Sequence, residues 1–232
     1  MLSYFSHIKI PDFSGDIKAD VQTLLCAFNK QKVFEHVKSV ALENIKIAEQ
    51  YGLDADICET AGYLHDICAI ISYGDMMSYA VDNGWHIYEA EKKVPMLIHQ
   101  RISKIIAEED FGVKDERILS AIECHTTLKA NPSAYDMALF VADKLAWDQG
   151  VPPFYDVLSE ALKQSLETAS LAYMDYIVKN NMIAYPHEWF EDSVRFLRGN
   201  VTQTASNTPL FPSTLSDLIL SPPPCSAKPS ER

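Results

Sequence analysis

The chain has 232 residues, 47% of them hydrophobic, and a formal net charge of −12. That size and apolar content allow one large core. The acidic balance excludes nucleic acid, whose protein partners present Lys/Arg-rich surfaces, and disfavours an anionic membrane surface. A small anionic ligand stays open, because bound cations reverse a local field.

Residues 1–17, with Pro11, Ser14 and Gly15, are expected to lie irregularly on the surface. Helical spacing then takes over, with no internal repeat and no useful strand alternation. Phe34, Val37, Val40, Ala41, Ile45 and Ala48 form one apolar stripe, and Gly52 closes that helix. Asp54 is the expected N-cap of a helix carrying Glu59 through Ile70. Gly74 and Gly84 punctuate a looser stretch, after which Pro95 opens a helix to Phe111 that Gly112 stops. Asp115 through Leu128 read as the next helix. Asn131-Pro132-Ser133 breaks the chain, and Ser133 with Asp136 forms a capping box for the helix bearing Asp143. Pro152-Pro153 ends that region; Asp156 to about Asn181 reads as one long helix and His187 to Arg198 as the last. The expected fold class is all-α, a single helical bundle over residues 18–198.

Past Gly199 the composition shifts: six of the twelve prolines fall between Pro209 and Pro229. Such a segment buries too little apolar surface to offset its ordering entropy, so residues 199–232 are expected to form a disordered tail, with Ser213–Leu220 as a short helical pattern inside it. The five cysteines, odd in number and without a C-x-x-C pair, read as free thiols in a reducing compartment. No basic leader and no run near ~20 apolar residues is present. The expectation is a soluble, cytoplasmic protein.

Six ionisable residues sit inside these apolar helical stretches: His36, the pair His65-Asp66, His99, His125 and Asp143. Taken singly, each histidine reads as a satisfied core or boundary residue; His7, His86 and His187, which lack such context, are assigned to structure or surface. Taken together they require a common explanation, because an unpartnered buried polar group costs about 2–7 kcal/mol. A metal cluster supplies one. Neighbouring helical side chains point about 100° apart, so His65 and Asp66 converge only on a ligand close against the helix. Imidazole with carboxylate suits iron, manganese, cobalt or zinc.

The strings Phe34-Glu35-His36-Val37, Gly62-Tyr63-Leu64-His65-Asp66-Ile67, Ala121-Ile122-Glu123-Cys124-His125-Thr126-Thr127 and Phe140-Val141-Ala142-Asp143-Lys144 resemble the HD superfamily of metal-dependent phosphohydrolases. Within it the chain looks most like the symmetrical bis(5'-nucleosyl)-tetraphosphatase group. The resemblance implies two divalent transition-metal ions, iron being the expected identity. His36, His65, Asp66 and Asp143 would surround one, and Asp66 would bridge to a second held by His99 and His125. It further implies cleavage of diadenosine tetraphosphate to two ADP by a metal-bridging hydroxide, with other nucleotide or cyclic-nucleotide hydrolysis, HD-type oxygenase chemistry or a catalytically weak nucleotide-binding module as alternatives.

The family's usual lysine after the HD pair is here Cys68-Ala69-Ile70, and its His-Gly-Pro at the third ligand is His99-Gln100-Arg101. Replacement contacts to phosphate are expected from Arg101, which is also assigned a catalytic role with Asp66 and Asp143, and from Thr126, Thr127, Lys129 and Lys144. Trp147 could stack on a base, but the expected reading is a buried aromatic. The expected partner is a small nucleotide, with no nucleic acid and no membrane; a homodimer is compatible with this reading.

Overall fold

The computed structural model describes residues 1–5, 7–147 and 150–204. Among them are eleven α-helices and no strand. These are α1 (Ile17–Ala27), α2 (Gln31–Tyr51), α3 (Ala55–Leu64), α4 (Tyr73–Asp82), α5 (Glu89–Lys93), α6 (His99–Glu109), α7 (Glu116–Cys124), α8 (Ala134–Leu145), α9 (Tyr155–Leu162), α10 (Leu166–Lys179) and α11 (Glu188–Thr204). The all-α architecture is as expected. No described helix is long and apolar enough to cross a membrane.

Several helix ends follow from local chemistry. Gly52 closes α2 at φ +66°, a conformation that costs glycine nothing. Asp54 caps α3 by accepting from the Asp56 and Ile57 amides. Ser133 and Asp136 cap α8 reciprocally.

Other boundaries move. The expected helix through Ile70 stops at Leu64; Asp66 leaves helical geometry at φ −114°, ψ 20°, and a 3-10 turn covers Ile67–Ile70. Gly74 lies inside α4, which Ser72 caps, instead of marking a loop. Pro95–Ile98 form a 3-10 turn ahead of α6. The single long helix expected from Asp156 is two, because Ser165 is extended and caps α10 through the Thr168 amide. The last helix runs beyond Arg198 to Thr204. The tail from 205 to 232, with Cys225, lies outside the described residues.

The N-terminal segment is also corrected: Leu2, Phe5 and Ile8 are buried in the core, and the Leu2 amide donates to the Asp110 carboxylate. Burying such side chains is worth about 1.5–3 kcal/mol each, enough to dock a short segment that lacks a long helix.

The centre of the bundle is α2, α3, α7 and α8, with α6 against α7 and α9–α11 covering the α8 side. Helices α2 and α3 meet most closely at Gly62: a Cβ there would stand 2.5 Å from the Ala41 Cα. This approach places the middle of α2 against the end of α3. Gly62→Ala is expected to destabilise the protein by about 1–3 kcal/mol and to weaken metal retention, because α2 and α3 carry His36 and His65. Chemical denaturation with parallel metal analysis checks both effects.

Candidate metal centre

Five of the six ionisable residues stand at or near helix ends. His65 and Asp66 follow α3, His99 opens α6, His125 follows α7, and Asp143 lies in the last turn of α8; His36 comes from the second turn of α2. The helix ends solve a problem of aim. The last carbonyls of a helix have no intrahelical partner, and His65 Nδ1 lies 2.8 Å from the Gly62 carbonyl, His125 Nδ1 2.9 Å from that of Ile122. His99 Nδ1 makes the equivalent bond to Met96 at 2.7 Å. A carbonyl only accepts, so each Nδ1 carries the proton and each Nε2 offers a lone pair.

Those lone pairs converge. Around Asp143 Oδ1 stand His36 Nε2 at 3.2 Å and His65 Nε2 at 3.6 Å. Asp66 Oδ2 lies 3.6 Å from His65 Nε2 and 4.0 Å from His36 Nε2. Its other oxygen, Oδ1, faces His99 Nε2 at 3.3 Å and His125 Nε2 at 3.6 Å. Two donors about 2.1 Å from one ion, at angles of about 90–110°, stand about 3.0–3.4 Å apart. Five of the six residues therefore fall into two candidate ligand groups that share Asp66, one with His36 and His65, the other with His99 and His125, and Asp143 joins the first through His36 and His65. The break in helical geometry at Asp66 lets adjacent residues serve one point despite the ~100° separation within a helix.

The donor set fits cations. His99 Nε2 and His125 Nε2 face each other at 3.0 Å with both Nδ1 protons committed elsewhere, so the two lone pairs repel unless a cation or proton stands between them. His65 Nε2 is buried and without a hydrogen-bond partner. Burial pushes His125 down to about 4, against the pull of Asp66, which leaves it neutral at physiological pH. Burial acts in the same direction on His65 and His99, but Asp66, together with Asp143 and the carbonyls of Gly62 and Met96, outweighs it and both are raised. Burial would raise Asp66, yet the His65, His125 and His99 imidazoles hold it well below the carboxylate range. Asp143 is held low in the same way, against its burial, by Lys144, His36 and His65.

The residues expected at the substrate scatter. Lys144 is buried, donating to the His125 carbonyl at 2.7 Å and to Asp143 at 2.9 Å, so it braces two of the six residues from behind. Thr126 Oγ1 lies 3.3 Å from His99 Nε2, whereas buried Thr127 bonds Gln100 and the Leu128 carbonyl. Lys129 pairs with Glu123 at 3.7 Å in a surface cavity that contains none of the six residues.

Arg101 is committed elsewhere: one guanidinium nitrogen lies 3.1 Å from each Glu91 oxygen and 3.0 Å from the His86 carbonyl, and the group stacks 4.6 Å from the Trp85 ring centre. Glu91 is fully buried, and buried His187 stands 3.7 Å from it. Trp147, expected to be buried, is 41% exposed.

One residue that sequence reasoning missed shares a cavity with part of the cluster. Among the described residues, Lys30 is the one lysine or arginine lining a cavity of about 490 Å³ whose wall includes Asp66 and His99. Its proximity depends on the turn between α1 and α2, which residue spacing does not report.

A helical bundle gathering four imidazoles and two carboxylates around a shared aspartate is a histidine–aspartate metal protein in class. Residues 33–148, which include all six, match the HD-domain family, and the chain belongs to it. An uncharacterised protein from the pepC 5' region of Lactococcus lactis subsp. cremoris is 38% identical over 143 residues, 61% of this chain and 73% of that protein. A symmetrical bis(5'-nucleosyl)-tetraphosphatase of Staphylococcus aureus is 30% identical over 138 residues, 58% of this chain and 69% of its own. The fold matches the crystal structure of a predicted HD superfamily hydrolase involved in NAD metabolism from Clostridium acetobutylicum, with a TM-score of 0.71 and 22% identity, over 82% of this chain and all of that one.

Proposed function

We propose that the chain is a two-metal phosphohydrolase that cleaves dinucleoside polyphosphates, diadenosine tetraphosphate to two ADP, and that its metals are divalent transition ions, iron first among them. The observation that carries this reading is the position of Asp66, whose two oxygens face two separate pairs of imidazoles. The symmetrical tetraphosphatase of Staphylococcus aureus supports the substrate. Bound ions of this kind lower the pKa of coordinated water toward ~7 and stabilise charge on a phosphoryl group in displacement.

The chain's own residues prepare that chemistry. Three Nδ1 bonds to carbonyls fix the imidazoles in their ligand tautomer before any ion arrives. Lys144 locks Asp143 to the end of α7. His65 and His125 form a buried floor, whereas Asp66 keeps 29% side-chain exposure and so faces the entrance. The cations turn this part of an acidic protein into a site for an anion. Lys30 stands where it can meet a phosphate entering the cavity beside Asp66 and His99. Lys30→Ala is expected to raise KM for polyphosphates several-fold with metal content unchanged, which paired kinetics and metal analysis test.

Product chromatography on diadenosine tetraphosphate tests the reaction. ADP as the sole nucleotide product is the expected result. AMP together with ATP, or turnover confined to monophosphates, contradicts it.

A further inference from the structure

Four exposed apolar side chains, Met96, Trp147, Met182 and Tyr185, rim a single cavity of about 470 Å³. Each is between 41% and 50% exposed. Apolar groups gathered at one mouth mark a binding site more often than an idle surface. Behind the rim the wall is aromatic: Phe154 and Tyr173 pack edge to face at 4.9 Å, and Trp147 meets Phe154 the same way at 5.8 Å. The volume lies in the range of about 300–1,000 Å³ that holds small ligands.

The cavity touches the metal centre along two walls. Thr126, one of its lining residues, places Oγ1 3.3 Å from His99 Nε2. Tyr173, another, lies with its ring 5.8 Å from Lys144 Nζ, the atom that holds Asp143. Met96 is shared with the cavity that contains Asp66, His99 and Lys30. The two hollows thus flank the ligand cluster, one aromatic and one bearing a cation. A ligand that spans from the aromatic hollow to the cluster needs a flat, largely apolar end and an anionic end.

We infer that the aromatic cavity is the subsite for one nucleobase of the substrate, covered by Trp147 and Tyr185, with the phosphates directed past Thr126 toward His99 and Asp66. The substrate class rests on the phosphohydrolase reading; the place of the base rests on the cavity. Stacking tolerates any base, because each has a π face, so the subsite selects nucleosides over bare polyphosphate more than it selects among bases.

Adenosine is the probe, since it has no phosphate and its binding needs neither metal nor turnover. Isothermal titration is expected to show saturable binding to the full chain, weakened about tenfold by Trp147→Ala and by Tyr185→Ala, and largely restored in Trp147→Phe. Both variants alter half-exposed side chains, and circular dichroism confirms that they stay folded. No saturable binding to the wild type, or unchanged affinity in both alanine variants, overturns the subsite. Hydrolysis assays separate this outcome from the parent reading. Adenosine binding that depends on Trp147 without phosphoanhydride hydrolysis keeps the subsite and removes the phosphohydrolase function. Hydrolysis of diadenosine tetraphosphate with an unchanged KM in Trp147→Ala and Tyr185→Ala removes the subsite alone.

Discussion

Asp66→Ala is expected to strip metal from both ligand groups and to reduce phosphohydrolase turnover by about a thousandfold or more. The reason is geometric: Oδ2 belongs with His36 and His65, while Oδ1 belongs with His99 and His125, so one substitution removes a donor from each. The loss should exceed that of any single histidine variant, since each histidine serves one group. Asp66 is 29% exposed and already outside helical geometry, so alanine leaves the fold in place. His7→Ala, at a side chain 63% exposed and 3.9 Å from Asp75, is the matched control that keeps metal and activity. Full metal content and turnover in Asp66→Ala would dismiss the shared ligand.

Arg101→Ala is expected to act on stability. Its guanidinium is the nearest cation to Glu91, a carboxylate with no solvent exposure, and removing one partner of a buried pair costs about 3–5 kcal/mol. Burial would raise the Glu91 pKa, but His187, the Tyr88 amide and Arg101 together hold it below its ordinary range. A depressed folded-state pKa contributes stability above the unfolded value, and that stability is lost as pH falls through the folded one. Arg101→Ala should therefore lower the urea midpoint at neutral pH and narrow the gap between neutral and acid stability. Replacing both partners, Arg101→Met with Glu91→Gln, should recover much of the loss, because no buried charge then lacks a partner. Unaltered stability with a raised KM for polyphosphates would instead return Arg101 to the substrate, where residue spacing placed it.

The two arginine readings show what the sequence carries and what it does not. Candidate ligands were legible because His36, His65, His99, His125, Asp66 and Asp143 are ionisable groups in apolar helical surroundings, and one cluster relieves the cost of all six. Caps were legible for a related reason: Asp54 and the Ser133–Asp136 pair act on amides two or three residues away. The partners of Arg101 and Lys129, and the bond from Lys144 to the His125 carbonyl, were not, since a long side chain reaches in many directions and tertiary packing chooses among them. The helix breaks at Leu64 and before Ser165 carry no glycine or proline, so apolar spacing runs straight through them. The break after Leu64 matters most, because it turns a neighbouring pair into a shared corner of the site.

The most direct test of the two-metal account is the metal stoichiometry of the wild-type chain, measured by mass spectrometry after saturation with a single divalent transition ion and removal of loosely bound metal. The prediction is two ions per chain. Uptake should weaken as pH falls, because His65 and His99, both raised by Asp66, must release protons to bind. Saturation at one ion per chain, or retention of none, would contradict it.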